Sequence, residues 1–249
     1  MDIEKSINST RQGFEQSFQE EDFYNKQTSD GNHLKLLLDL VNPKESDTIL
    51  DLGTGSGYIA FPLSELNQKI NVIGMDIVID TLERNTNKAV EQGRENLEFT
   101  AYDGKIFPFR DGSLDTVITR YALHHFPNIE DSFREMFRVL RKGGKLVISD
   151  PTPNINDTVG FIDKFMQMKK DGHIKFYSFS EFKEMLEKSG FRFLFRQDTF
   201  IRFPRKNPTQ YNKLFLEYDE RITSGYEVEV KEDEIWIKES VLNMVFQKV

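Results

Sequence analysis

The run from Asp51 to Gly57 (DLGTGSG) places an acidic side chain directly before three glycines that alternate with other residues. Glycine permits a tight turn and leaves no side chain where a ligand must lie against the main chain. Dinucleotide-binding turns have the spacing Gly-x-Gly-x-x-Gly, in which the third glycine lets a helix N-terminus aim at a pyrophosphate. The shorter spacing found here favours an amino-acid-like ligand tail lying over the loop, with Asp51 placed to receive a cationic amino group.

Two further acids follow short apolar stretches in the same way. Asp76 ends the next stretch, where a carboxylate can accept hydrogen bonds from both hydroxyls of a ribose. The alternative is that Asp76 caps the helix that follows. Asp103 comes just after a third apolar stretch and is placed to meet an exocyclic amine. Because the carboxyl ends of strands in a doubly wound sheet form one ligand crevice, we expect all three acids to face it.

Strands and helices alternate around these acids. Short apolar runs predict buried strands, and apolar residues at helical spacing predict the helices between them. Basic residues and glycine favour a helix C-terminus, so we expect Arg141 to Gly144 to end the helix before them. The predicted strands are 48–52, 71–75, 97–101, 114–119, 145–149, 191–200 and 241–247, and the predicted helices are two within 3–41, then 81–92, 129–140, 181–189 and 208–223.

This alternation predicts an α/β fold with a doubly wound, mostly parallel, seven-stranded sheet. At 249 residues the chain is long enough to bury the core of such a fold. We expect a single domain over residues 1–249, with a helical cap over 1–42 and a ligand-binding core over 43–150. Lid insertions and the C-terminal strands would occupy residues 151–249.

Composition narrows the function. The formal net charge is −8, so a phosphate backbone is repelled on average and we expect no nucleic-acid partner. The chain has no cysteine, which excludes disulfides, thiolate metal sites and a cysteine nucleophile. Because no run of 18 apolar residues occurs, we expect no membrane span and a cytoplasmic location. The sequence leaves the oligomeric state open.

Several motifs between residues 51 and 150 occur together in a fixed order. They are DLGTGSG at 51–57, Asp76, Tyr102-Asp103-Gly104, FPFRDGSLD at 107–115, YALHHF at 121–126 and RVLRKGG at 138–144. In these motifs the chain resembles the class I S-adenosylmethionine-dependent methyltransferases, especially the ubiquinone and menaquinone biosynthesis methyltransferases and similar small-molecule enzymes. The resemblance implies a Rossmann-like fold, S-adenosylmethionine as cofactor with S-adenosylhomocysteine as its product, and a small-molecule methyl acceptor.

The resemblance also implies roles for individual residues. The glycines would lie along the methionine part of the cofactor, Asp76 would hold the ribose, and Asp103 would face the adenine amine. Arg120 or Tyr121 would lie near the sulfonium. The cofactor-binding residues implied in this way are Asp51, Gly53, Thr54, Gly55, Gly57, Asp76, Ile77, Tyr102, Asp103, Gly104, Arg120 and Tyr121.

Methyl transfer from a sulfonium depends mainly on alignment, because holding the nucleophile near attack distance can supply roughly 7 to 11 kcal/mol of the barrier. If the acceptor must lose a proton, His124 or His125 is the candidate catalytic base by position and by the ordinary pKa of histidine. The alternative is that one histidine packs while the other shapes the pocket wall. Adjacent side chains diverge and no third ligand is evident, so we expect no metal site.

Aromatic residues after the fifth strand predict an apolar acceptor pocket beneath a lid. The predicted pocket residues are His125, Phe161, Phe165, His173 and Tyr177, and Met166, Met168, Phe176 and Phe179 are predicted to belong to the same apolar wall. The alternative is that the aromatic residues pack on the core and that His173 serves a turn. Two other functions stay open: an NAD(P)-dependent oxidoreductase on a similar sheet, which the glycine spacing opposes, and a protein that binds S-adenosylmethionine without catalysing transfer.

Overall fold

The computed structural model describes residues 2–19, 29–206 and 208–249. The strands found there form one sheet: β1 Thr48–Leu52, β2 Asn71–Asp76, β3 Leu97–Ala101, β4 Leu114–Arg120, β5 Leu140–Thr152, β6 Phe191–Lys206, β7 Glu229–Val230 and β8 Glu234–Lys248. Their spatial order is β3-β2-β1-β4-β5-β8-β6, and β7 pairs with β8 outside this path. The first five strands are parallel, and β8 lies antiparallel between β5 and β6.

The helices are α1 Ile3–Gln19, α2 Gly31–Val41, α3 Ala60–Leu66, α4 Ile79–Glu91, α5 Ile129–Val139, α6 Phe161–Gln167, α7 Phe179–Lys188, α8 Pro208–Leu216 and α9 Glu220–Thr223. Local caps explain some of these limits. At the start of α2 the Asp30 side chain accepts hydrogen bonds from two backbone amides, and Ser178 and Glu181 form a capping box at the start of α7. Among the described residues, no helix is both long and apolar enough to cross a bilayer.

Two apolar layers enclose the sheet. One face of β1 carries Leu50, whose core cluster includes Phe133 of α5 and Phe182 of α7. The other face carries Ile49, whose cluster includes Leu37 of α2 and Leu63 of α3. Helices therefore cover both faces, and the predicted doubly wound, mostly parallel sheet is confirmed, with the two-residue β7 added to the seven predicted strands.

The C-terminal strands are much longer than the sequence patterns predict. The far ends of β6 and β8 continue beyond the parallel part of the sheet, and a third core cluster packs on them. It includes Phe161 and Phe165 of α6, Tyr211 of α8 and Ile237 of β8. The polar composition of this region had concealed the extension, because only every second residue of β8 between Ile235 and Val241 is buried.

The predicted end of α5 is wrong in detail. The helix ends at Val139, and Leu140 already pairs with Leu114 as the first residue of β5. Gly143 has a left-handed backbone (φ 78°), but it lies in an irregular start of the strand, where the pairing with β4 shifts register. The basic and glycine residues therefore form a bulged strand opening instead of a helix cap.

Candidate active site

A cavity of about 970 Å³, counted with its open mouth, lies at the carboxyl ends of β1, β2 and β4. This is the edge at which doubly wound sheets bind ligands. All of the implied cofactor residues line it except Gly57 and Asp103. Those that do are Asp51, Gly53, Thr54, Gly55, Asp76, Ile77, Tyr102, Gly104, Arg120 and Tyr121.

The glycine loop is held by its backbone and by close packing. The amides of Gly53 and Thr54 both donate to the carbonyl of Met75, at 2.8 and 3.1 Å. Gly53 has φ 72°, and a Cβ atom there would lie 2.6 Å from the Cβ atom of Ala122. Gly57 has φ 77°, and its Cβ atom would meet the ring of Phe61 at 2.5 Å. Gly57 therefore lets α3 approach the loop. The resemblance implied that Gly57 lies along the cofactor, but Gly57 does not line the cavity.

Asp51 is buried at the end of β1 beneath this loop. Its Oδ2 atom accepts a hydrogen bond of 2.7 Å from the hydroxyl of Thr54. Burial raises the pKa of Asp51 to about 7, because an ionised carboxylate loses its hydration there, although the Thr54 bond opposes the shift. A bound cation would stabilise the ionised carboxylate that burial destabilises, so Asp51 is suited to bind an ammonium group.

Asp76 binds backbone amides on two sides and also borders the cavity. Its Oδ1 atom accepts from the amides of Ile77 (2.7 Å) and Val78 (3.1 Å), which precede α4, and Oδ2 accepts from the amide of Gly55 (2.9 Å). A carboxylate offers about four acceptor positions, so room remains for about one more donor, on Oδ2. Asp76 therefore fixes the glycine loop against α4 and also presents an oxygen to the cavity.

Asp103 is exposed and lies outside the cavity wall, in contrast to the expectation for the third acid. Its Oδ1 atom accepts hydrogen bonds from the amides of Lys105 (2.8 Å) and Ile106 (2.9 Å). The Ile106 bond is the largest cause that lowers the pKa of Asp103. The Asp103 carboxylate therefore closes its own turn by accepting these two backbone hydrogen bonds. The neighbouring residues Tyr102 and Gly104 line the cavity.

Arg120 and Tyr121 form the far wall at the end of β4. The guanidinium of Arg120 lies over the rings of Tyr58 (4.2 Å) and Tyr121 (4.0 Å). Tyr121 has φ 53°, a conformation that bulky residues rarely adopt and that often marks a functional site. The ring of His33 stacks on Tyr121 with centroids 5.8 Å apart. This strained, stacked wall supports placing Tyr121 beside the reacting group.

Helix α1 supplies wall residues that the sequence patterns did not identify. Ile7 and Phe14 of this helix line the cavity. The Nε atom of Arg11 donates to the carbonyl of Ile77 at 3.1 Å, and Lys105 pairs with Glu4 at 2.7 Å. The sequence predicted a helical cap here but gave no signal for its partner, because these contacts join residues far apart in the chain.

The two adjacent histidines differ in role. His124 Nδ1 lies 2.7 Å from Asp150 Oδ1, while Asp150 Oδ2 accepts from the amides of Ala122 and Leu123. These bonds fix the turn after β4 to the end of β5. Burial lowers the pKa of His124 well below its ordinary value and lowers that of His125 to about 3. Both rings are therefore neutral at pH 7, and His125 would be a weak base.

A second cavity of about 510 Å³ adjoins the first. Phe14, Tyr121 and His125 line both cavities, so these three side chains form a wall that the two cavities share. The remaining walls of the second cavity are mostly apolar side chains, with His124, the ion pair of Lys169 and Asp171, and two residues from the extended strands, Arg205 of β6 and Glu239 of β8.

Of the residues predicted to form the acceptor pocket, His125, Met166 and Phe176 line the second cavity. Phe161 and Phe165 are fully buried in the third core cluster because α6 packs that face on β6 and β8. His173 is buried with Nε2 2.8 Å from Asp163 Oδ1, and Tyr177 packs against the first core cluster. The structure thus favours the packing alternative for Phe161, Phe165 and Tyr177, whereas His173 is bonded through its side chain to Asp163 and through its backbone amide to Asp171.

The sequence patterns did not identify Glu239 and Arg205 as site residues, although the sequence contains a signal for Glu239. Ile235, Ile237 and Val241 are buried at alternate positions of β8, and Glu239 continues that row. A glutamate in an apolar row is informative because carboxylates are seldom fully buried without a partner. The predicted strand begins at residue 241, so it does not include the alternation of buried and partly exposed residues that begins at Ile235.

Comparisons with known proteins bear on what this arrangement does. A family model described as a methyltransferase domain matches residues 43–201. The uncharacterized methyltransferase YcgJ of Bacillus subtilis is 29% identical over 160 residues, which cover 63% of this chain and 62% of YcgJ. The demethylmenaquinone methyltransferase of Thermus thermophilus is 33% identical over 125 residues, covering 50% of this chain and 56% of that enzyme. The match thus spans less than two thirds of either relative.

Solved structures show the same fold. A crystal structure from Bacillus halodurans, assigned as a methyltransferase, superimposes with a TM-score of 0.77 and covers 88% of this chain and 99% of that chain. The two sequences are 23% identical in this superposition, so the likeness concerns the fold.

Proposed function

Because the chain belongs to the methyltransferase domain family, whose cofactor is S-adenosylmethionine, we propose that it transfers the methyl group of this cofactor to a small organic acceptor. The observation that carries the proposal is the pair of adjoining cavities. The first has a glycine loop and two buried carboxylates at the ends of parallel strands, and the second is lined mainly by apolar side chains with a few charged ones. The shared wall of Phe14, Tyr121 and His125 marks where the two molecules would meet.

The residues of the first cavity fit this cofactor. Asp51 suits the ammonium group of its amino-acid tail, the bare loop at Gly53 and Gly55 suits the chain behind it, and the open position on Asp76 suits a ribose hydroxyl. When bound, S-adenosylmethionine would supply a methyl group activated by a positively charged sulfur, and S-adenosylhomocysteine would be the product.

The protein's own contribution is alignment and exclusion of water. We assign this part to Phe14 and Tyr121, which border both cavities, and to α1, which covers the first. His125 orients the acceptor with its neutral ring and does not act as a strong base, because burial keeps its pKa near 3. His124 holds the turn in place through Asp150. Alignment of this kind can supply most of the rate enhancement without proton transfer.

We further propose that the protein works in the cytoplasm on a small molecule and not on nucleic acid. The net charge of −8 and the absence of cysteine support this. The single domain over residues 1–249 also stays a prediction.

Calorimetric titration with S-adenosylhomocysteine tests the cofactor site. We expect binding that Asp76→Asn weakens at least tenfold, because one oxygen that faces the cavity loses its charge. Asp80→Asn, an exposed neighbour at the start of α4, is the matched control and should leave the affinity unchanged. Thermal stabilisation by NADH in place of S-adenosylhomocysteine would refute the proposal.

Catalysis needs a separate measurement. The protein is incubated with S-adenosylmethionine and a panel of phenols, carboxylic acids, amines and quinols, and the release of S-adenosylhomocysteine is followed. Acceptor-dependent release is expected. Cofactor binding without release for any acceptor would favour a protein that binds the cofactor but does not transfer its methyl group.

A further inference from the structure

The extended parts of β6 and β8 give the second cavity two polar residues, Arg205 and Glu239; its other charged residues, Lys169 and Asp171, form an ion pair with each other. Arg205 follows Ile201 and Phe203 on one side of β6, and Glu239 pairs with Ile201 across the two strands. Glu239 is only 2% exposed, and its Oε1 atom is buried without a hydrogen-bond partner among the described residues. The Nε atom of Arg205 is likewise buried without a partner there. Unsatisfied buried polar atoms on a cavity wall call for a ligand that satisfies them.

Arg205 has no anionic partner within the described parts of the chain. Its Nη2 atom reaches only the sulfur of Met166, at 3.5 Å, and its guanidinium lies 4.3 Å from the ring centre of Phe203. The nearby carboxylate of Asp171 pairs with Lys169 at 3.2 Å. A thioether is a weak acceptor, so most of the donor capacity of this guanidinium remains unused.

The protonation states leave a net positive charge on this wall. Burial lowers the pKa of His124 and of His125, so both rings are neutral at pH 7. Burial also raises the pKa of Glu239 to about 8, the charge of Arg205 opposing this, so the Glu239 carboxyl holds its proton at pH 7 and can donate it in a hydrogen bond. The guanidinium cannot lose its charge in the same way.

Apart from the Lys169–Asp171 ion pair and the neutral histidine rings, the rest of the wall is apolar and aromatic. Phe14, Phe176, Phe203, Met166 and Ile201 contribute to it. A planar or apolar body would satisfy these side chains, and a charged or strongly hydrated body would not. The cavity thus combines a hydrophobic wall with one unpaired cation.

We propose that the second cavity binds a small organic acid, with an apolar or aromatic body against the phenylalanines and an anionic oxygen group bonded to Arg205 and to the carboxyl of Glu239. The inference rests on the proposed function, because this acid would be the methyl acceptor. A carboxylate is the strongest partner for a guanidinium with free donors. An amine is disfavoured, because it would approach a permanent positive charge.

The test uses the protein saturated with S-adenosylhomocysteine and titrated by calorimetry. The probes are 4-hydroxybenzoate and 4-hydroxyphenylacetate, each matched with its neutral amide, and 4-hydroxybenzylamine. We expect at least one acid to bind at least tenfold tighter than its amide and tighter than the amine. Arg205→Gln should remove this preference while leaving the affinity for S-adenosylhomocysteine within about twofold, which shows that the variant is folded. Arg202→Gln, an exposed arginine on the same strand, is the matched control and should change neither affinity.

Equal binding of acid and amide, tighter binding of the amine, no binding of either acid, or an unchanged preference in Arg205→Gln would each overturn the inference while the cofactor site stands. Failure of the wild-type protein to bind S-adenosylhomocysteine would overturn the proposed function itself, and the inference with it.

Discussion

The charge of Asp51 provides the most direct test of how the first cavity holds its ligand. If the ionised carboxylate binds the ammonium group of the cofactor, protonation of Asp51 competes with binding. Burial raises the pKa of this carboxyl to about 7 in the free protein. Affinity should therefore be fully present above pH 7 and fall as the pH decreases through 7.

The size of the effect follows from this pKa. Only the ionised fraction binds, so the apparent dissociation constant scales as 1 + 10^(pKa − pH). Lowering the pH from about 8 to about 6 should then weaken binding about tenfold, or about 1.4 kcal/mol. Asp51→Asn has no such titration, although its amide oxygen can still accept the Thr54 hydroxyl. At pH 8 the variant should bind about 2 kcal/mol more weakly than the wild type.

Calorimetric titration of both proteins with S-adenosylhomocysteine at the two pH values measures this. At each pH, the dissociation constant of the wild type is divided by that of Asp51→Asn, and this ratio cancels any titration of the ligand itself. The tenfold change should appear as a change in this ratio between the two pH values. A ratio that stays constant between pH 6 and pH 8 would show that Asp51 is not the group that meets the ammonium.

Three other outcomes follow from the structure. Gly53→Ala should abolish cofactor binding, because the new Cβ atom would lie 2.6 Å from that of Ala122. The control is Gly93→Ala, which is also at positive φ but has open space around it. This control variant should only lose about 1–2 kcal/mol of stability in denaturant titration. Phe14→Ala should raise KM for both cofactor and acceptor, since the ring borders both cavities, and steady-state kinetics that show a change in only one KM would contradict this placement. In urea unfolding, the stability of Glu239→Gln relative to the wild type should increase by about 1.4 kcal/mol per pH unit between pH 4.5 and 8. Burial raises the pKa of Glu239, so in this range the folded wild type keeps a proton that the unfolded chain loses. The stability of the wild type therefore falls as the pH rises, whereas the variant has no such titration.

The sequence predicted the parts of the site that depend on local patterns. The loop around Gly53 and the position of Asp51 and Asp76 follow from short-range features: a buried strand, a glycine turn and a strand end. Asp103 shows the limit of this reasoning, because a strand end predicts where a carboxylate lies but not whether its own loop amides will bind it. Gly57 is similar, since its role depends on the ring of Phe61 packed against it.

The second cavity was beyond sequence patterns for a different reason. Its walls join α1, the turn after β4, and the distant strands β6 and β8, so its composition depends on long-range packing. Phe161 was predicted to line it and is core, whereas Arg205 was missed. Aromatic content indicated an apolar site near the lid, but only the strand register shows which side chains face it.

Helix α1 links the occupancy of the first cavity to the motion of the N-terminal region. Among the described residues, its polar ties to the rest of the protein include one solvent-exposed ion pair, Lys105 with Glu4, which solvent screens, and one hydrogen bond from Arg11 to the carbonyl of Ile77. A bound ligand that touched Ile7 and Phe14 would add apolar contact to these weak ties. Release of the product would then require the loss of these contacts with α1, so that product release, and not the chemistry, can be the slowest step of each catalytic cycle.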